Sequence, residues 1–103
     1  MKVILIDDEE LSLRYLEYLL ITIGEFEIVG KYTDPFKGRQ AVQEHDIDIV
    51  FLDIHIPEWN GIELAETLLE KKPELNVVFI TSYEEYAIKA FGYSQFCVCS
   101  VNL

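Results

Sequence analysis

Basic residues are scarce in this chain: 8 Lys and Arg stand against 19 Asp and Glu in 103 residues, a net charge of −11. Phosphate contacts need Lys and Arg, so this surface is not expected to bind nucleic acid, and an anionic membrane is disfavoured for the same reason. Long apolar runs are missing as well. None approaches the length that crosses a bilayer. The opening MKVILIDD turns acidic before the apolar segment of a secretory signal can form. The chain is therefore expected in the cytoplasm. Cysteine is limited to Cys97 and Cys99. One intervening residue puts both on one face of a strand, and the further ligands of a zinc site do not accompany them. Two ordinary thiols of a reducing compartment are expected. No repeat, low-complexity tract or interdomain linker interrupts the sequence, which is short enough for one domain.

What the chain does have is apolar material, 50% of its residues, enough for a packed core. Apolar runs alternate with helical patterns, the signature of a parallel sheet with crossover helices. Strands are expected at Val3 to Ile6, Phe26 to Tyr32, Ile47 to Leu52 and Asn76 to Ile80. A helix from Glu10 to Ile23 places Leu13, Leu16, Leu20 and Ile23 on one face and stops at Gly24. Asp34-Pro35 supplies the cap and first residue of a second helix reaching Glu44. Pro57 to Gly61 is a loop, and Gly61 opens a third helix with Ile62, Ala65 and Leu69 inward, ended by Lys72-Pro73. A short fourth helix is expected over Glu84 to Phe91, and FCVCSV offers a fifth strand. The predicted fold class is a doubly wound, flavodoxin-like α/β sheet of strand order 2-1-3-4-5 that lacks a final helix.

In that order the first, third and fourth strands are neighbours, and ligands of open α/β sheets gather outside the carboxyl ends of the strands. Asp7 and Asp8 follow the first run, Asp53 closes the third, and Thr81 ends the fourth. Alone, Asp7-Asp8 also fits a turn that caps the next helix, and Asp is common at strand ends. Together, three converging carboxylates repel one another unless a cation sits among them. A hard divalent ion with oxygen ligands, Mg2+, suits such a set. A carboxylate so placed is also a nucleophile toward phosphorus. Asp53 is the best-placed nucleophile, Asp7 and Asp8 are candidate metal ligands, and the Thr81 hydroxyl is a candidate donor to phosphoryl oxygens. Ser82 leaves the neighbouring wall small.

VILIDDEE, IVFLDIHIPEWNG and VVFITSYEEYAIKAF resemble the receiver domains of bacterial two-component response regulators, and the last stretch is most similar to receivers that precede LytTR-type DNA-binding domains. The resemblance spans residues 1–91 and leaves 92–103 as a divergent tail with a possible fifth strand. It implies a phosphoacceptor that takes a phosphoryl group from a sensor histidine kinase onto Asp53. Asp7 and Asp8 form the acidic pair, Asp53 and the backbone carbonyl of His55 complete the protein ligands to Mg2+, and Thr81 is the switch hydroxyl. Side chains at His55 and Tyr83 lie beside the phosphoryl site in this family. Trp59 is expected to pack its loop.

The chain departs from the family where receivers carry a Lys-Pro pair after the fifth strand. Ungapped extension puts Val101 and Asn102 there, Val98 stands at the aromatic switch position, and no lysine follows Lys89. A degenerate receiver that serves as a phosphorylation-independent interaction module is therefore the main alternative. A Mg2+-dependent phosphatase with an aspartyl-phosphate intermediate requires a second carboxylate two residues past its nucleophile, where His55 stands; an enzyme is not expected. An apolar tail without a covering helix invites pairing with another chain, so a homodimer through the fourth helix and tail is expected.

Overall fold

The structure, a computed structural model, describes residues 1–54, 56–81 and 96–100, with Thr81 and 96–100 described by backbone alone. Within these residues the chain runs β1 (Lys2–Ile6), α1 (Glu10–Ile23), β2 (Glu27–Tyr32), α2 (Pro35–Glu44), β3 (Ile49–Asp53), α3 (Gly61–Lys71), β4 (Asn76–Thr81) and β5 (Phe96–Ser100). All strand pairs are parallel, in the order β2-β1-β3-β4-β5. The α/β architecture and strand order expected from the sequence are therefore present. The fourth helix expected at 84–91, and with it Tyr83, Tyr86 and Lys89, lies outside the described residues.

Period-two alternation along buried strands sorts side chains to two faces. Ile4 and Ile6 of β1, Val50 and Leu52 of β3, and Val77 and Phe79 of β4 face one way. They pack there against Ala41 and Val42 of α2 and Leu64, Ala65 and Leu68 of α3. Val3, Leu5, Ile49 and Phe51 face the other way, onto Leu13 and Leu20 of α1. Phe26 meets Phe51 edge to face, ring centroids 6.0 Å apart at 85°.

Local chemistry sets the helix ends. Gly24 terminates α1 at φ 85°, a left-handed position that glycine adopts without penalty, and its N–H bonds back to the Leu20 carbonyl. The Asp34 carboxylate accepts from Phe36 N at 2.9 Å, and Pro35 follows at the first helical position. Asn60 caps α3 in the same way, its Oδ1 accepting from Ile62 N at 2.9 Å and Glu63 N at 3.4 Å.

Three details differ from expectation. β3 starts at Ile49 and runs on to Asp53. Ile47 and Asp48 precede it, Asp48 being tied to β1 both by its N–H to the Lys2 carbonyl at 2.9 Å and by its carboxylate, which accepts the Lys2 N–H at 2.8 Å. The inward face of α3 is Leu64, Ala65 and Leu68, with Ile62 and Leu69 half-buried, because helix packing is centred one residue away from the expected stripe. On α1, Leu13 and Leu20 are buried and Leu16 half-buried. Ile23 is exposed at the end of the helix, where the chain leaves for β2.

Candidate phosphoacceptor and metal site

Adjacent parallel strands end level with one another, and this brings the acidic residues together. β1 pairs with β3 through Ile6 and Leu52, so Asp7 and Asp53 both lie one step beyond that pair. Asp7 N bonds to the Tyr32 carbonyl at 3.1 Å, holding the chain on the sheet for one residue past β1. The backbone then turns. One Asp7 oxygen accepts from Glu9 N at 2.9 Å, so the side chain does serve the turn into α1 that a bare Asp-Asp pair suggests. It nevertheless remains in the cluster: carboxylate oxygens of Asp7, Asp8 and Asp53 all lie within 4.8 Å of one another, each residue half-buried.

The electrostatic cost of this arrangement is carried by Asp7. Burial pushes its carboxyl up from 3.8 to about 7. The Glu9 N–H opposes that shift, while the charges of Asp53 and Asp8 and a hydrogen bond with Asp8 add to it. A half-buried acid held toward neutrality by its burial, and further by two other carboxylates, suits a site completed by positive charge. The donor set fits Mg2+, which takes hard oxygen ligands at about 2.0–2.1 Å; two such ligands stand roughly 3 Å apart when adjacent and about 4 Å when opposite. The observed spacing is close to that, with water available for the remaining positions.

Asp53 is also fixed from the other side. Gly61 N donates to the Ile54 carbonyl at 3.0 Å, folding the start of α3 onto the end of β3. A Cβ at Gly61 would sit 2.6 Å from the Asp53 carbonyl oxygen and 2.6 Å from Ile54 Cα, so only glycine permits this approach. The intervening loop is pinned by Trp59, which stacks on Phe36 at 5.1 Å and 29°, with the Arg39 guanidinium 5.5 Å from the Trp59 ring centre. Trp59 therefore packs the loop, as expected. The Asn60 cap and the close approach of Gly61 are additions that the sequence did not announce. The available signal was an Asn immediately before a helix start, inside the segment expected as a loop.

β4 ends at Thr81, one residue beyond the Ile80 that pairs with Asp53, so the Thr81 backbone stands at the same sheet edge. His55 and Ser82 lie outside the described residues, as do the Val101 and Asn102 that stand in place of Lys-Pro. Val98 pairs with Phe79 of β4 on the strand ladder. The homodimer expected through 84–91 and the tail rests largely on residues outside the described ones.

The response regulator receiver domain family matches residues 3–96. This chain belongs to that family. It is 36% identical over 96 residues to protein MrkE of Klebsiella pneumoniae, covering 93% of this chain and 36% of MrkE. It is 35% identical over 96 residues to the transcriptional regulatory protein YpdB of Escherichia coli K12, covering 93% of this chain and 39% of YpdB. The crystal structure of the MrkE response regulatory domain superposes with a TM-score of 0.89 at 34% identity, covering all of this chain and 84% of that one. The chain thus spans a little over a third of the length of the curated relatives it matches. It is a receiver domain of the two-component class, and among the described residues no helix is long and apolar enough to cross a membrane.

Proposed function

We propose that this receiver accepts a phosphoryl group on Asp53 from the phosphohistidine of a sensor histidine kinase, in the cytoplasm and with Mg2+. The observation that carries this is the meeting of Asp7, Asp8 and Asp53 within 4.8 Å at the carboxyl edge of a parallel receiver sheet. A carboxylate oxygen of Asp53 attacks phosphorus while the P–N bond to the imidazole breaks and its electron pair leaves with the ring nitrogen. Such transfer depends on positioning and on neutralising charge at the phosphoryl oxygens. Asp7 and Asp8 hold the ion, with Asp53 and the His55 carbonyl as further ligands, and the bound Mg2+ supplies that neutralisation. Gly61 and Asn60 keep the Asp53 strand end in place. Thr81, at the end of the neighbouring strand, donates its hydroxyl to a phosphoryl oxygen and so links phosphorylation to a shift between two conformations.

The chain acts as a signalling phosphoacceptor rather than as a multiple-turnover enzyme. Control of transcription is the role carried in the name of YpdB, of which the match covers 39%. A second reading is favoured by one specific feature: no lysine follows Lys89, so the family's cationic contact to the phosphoryl group is absent from this sequence. In that reading the domain binds Mg2+ and partners without being phosphorylated.

Incubation with a small acyl phosphate and Mg2+, followed by intact mass measurement, separates the two. A phosphoryl adduct that vanishes in Asp53→Asn and in EDTA supports phosphoacceptance. Mg2+ binding by calorimetry without any adduct supports the interaction module.

A further inference from the structure

The segment between Asp53 and α3 is fastened at a few points. Ile54 and Ile56, on either side of His55, are buried, and the Ile54 carbonyl closes the segment by accepting from Gly61 N at 3.0 Å. Beyond Ile56 the chain turns, with Trp59 N donating to the Ile56 carbonyl at 3.3 Å. Pro57 and Glu58 at the tip are exposed, and the Asn60 side chain is occupied in capping α3. Trp59 is left to tie the outer half of the segment to α2. Its ring stacks on Phe36 at 5.1 Å and 29°, and the Arg39 guanidinium lies 5.5 Å from its centre.

Both partners of Trp59 belong to α2, where a spacing of three residues makes Phe36 and Arg39 neighbours on the helix surface. Arg39 Nε is buried and makes no hydrogen bond, so this part of the cation is drawn out of water beside the ring, where attraction to the aromatic face is strongest. α2 is itself seated on the end of β1. Gly38 lies so close to Ile6 that a Cβ there would come within 2.7 Å of the Ile6 Cδ1. Ile6 leads directly into Asp7 and Asp8, while Trp59 belongs to the segment that follows Asp53. The clamp thus joins, through α2, the two strand ends that supply the acidic cluster.

We propose that Trp59 is a positioning residue for the metal site. Clamped by Phe36 and Arg39, it holds the segment after Asp53 in the conformation that Mg2+ requires, and so sets the affinity of the cluster of Asp7, Asp8 and Asp53 for the ion. The inference rests on the assignment of Mg2+ to that cluster. Trp59 acts through the backbone, four residues beyond His55, and is not itself a ligand. Without the clamp, this part of the chain must be ordered when the ion binds. Ordering a single backbone residue costs about as much as a tenfold change in a binding constant. Preorganisation of this kind raises affinity without adding a contact to the ion. Phe36 belongs to the same device although it lies on another element, and it is 55% exposed, so it can be truncated without opening the core.

Calorimetric titration of the full chain with Mg2+ tests this, with Trp59→Ala, Trp59→Phe, Phe36→Ala and Leu64→Ala as variants and thermal melts to show that each is folded. Trp59→Ala should raise the Mg2+ dissociation constant about tenfold. Trp59→Phe keeps a ring against Phe36 and should stay within about threefold of wild type, and Phe36→Ala should raise the constant about threefold. Leu64→Ala, which empties the core elsewhere, should lower the melting temperature more than either alanine variant of the clamp yet leave Mg2+ affinity little changed. In acyl phosphate reactions, Trp59→Ala should need about ten times more Mg2+ for half the maximal rate, with the maximum itself within about twofold. If Trp59→Ala does not fold, Phe36→Ala and Trp59→Phe decide the matter. Wild-type affinity in both alanine variants overturns the clamp while leaving the metal site standing. Equal weakening in Leu64→Ala overturns it as well, because affinity would then follow stability alone. A wild type that binds no Mg2+ overturns the assignment of the metal, and the clamp with it.

Discussion

Replacing Asp7 with Asn should stabilise the metal-free domain while abolishing its gain from Mg2+. In the folded protein the Asp7 carboxyl is raised from 3.8 to about 7, chiefly by burial and further by Asp53 and Asp8. A raised carboxyl contributes stability that is fully present below its unfolded value and is lost as pH climbs through the folded one. From about pH 4 to 7 the folded state holds a proton that the unfolded chain has released, so wild-type stability falls across that window. A shift of this size corresponds to about 4 kcal/mol for a fully buried group, and the half-exposure of Asp7 reduces it by solvent screening to roughly 2 kcal/mol. Asn cannot ionise, and its side-chain carbonyl can still accept the Glu9 N–H. The expected difference is therefore close to nil at pH 4. At pH 8 it is about 2 kcal/mol in favour of the Asp7→Asn variant, or about 1 M in urea midpoint.

Urea titrations in EDTA at several pH values, followed by fluorescence of the single tryptophan, Trp59, measure this directly. Mg2+ at about 100 times its dissociation constant should then stabilise the wild type by about 2.7 kcal/mol and leave the variant unmoved. An Asp7→Asn protein that is less stable than wild type at pH 8, or a difference that does not depend on pH, would refute the account of a mutually repelling cluster.

Other substitutions probe the frame around the site. Gly61→Ala drives a Cβ into the Asp53 carbonyl and Ile54 Cα; it should cost about 1–3 kcal/mol in urea unfolding and weaken Mg2+ binding by calorimetry. Asn60→Ala removes the bonds to Ile62 N and Glu63 N and should cost about 1 kcal/mol by the same titration, with a smaller effect on Mg2+. Leu64→Ala empties a fully buried position between α3 and the sheet; a loss of about 2–5 kcal/mol is expected, with Mg2+ affinity little changed if the domain remains folded.

Much of the fold was legible because strong local signals agree with the tertiary structure. Asp34-Pro35 and Gly24 fix helix ends through capping chemistry that acts within a few residues. Val3 to Ile6 reads as a buried strand because both faces of the sheet are covered there. The acidic cluster was legible for a topological reason: parallel strands in the order 1-3-4 must end at one edge. What the sequence concealed depends on contacts between distant segments. The phase of α3 is set by packing of Leu64 and Leu68 on Phe79 and its neighbours, and not by the helix pattern alone. The Asp48 carboxylate that accepts the Lys2 N–H at the start of β3 joins residues 46 positions apart, which no local pattern announces. The requirement for glycine at 61 arises from the backbone of β3, which no local pattern reveals. On α1 the inward stripe of Leu13, Leu16 and Leu20 was legible, and only Ile23, exposed where the chain leaves the helix, was not.

The central claim is that Asp53 itself carries the phosphoryl group. Borohydride reduction after acyl phosphate treatment converts an aspartyl phosphate to homoserine, and peptide sequencing by mass spectrometry locates it. Homoserine at position 53, dependent on Mg2+ and absent in Asp53→Asn, is the predicted result. Homoserine at another aspartate, or none despite bound Mg2+, would contradict it.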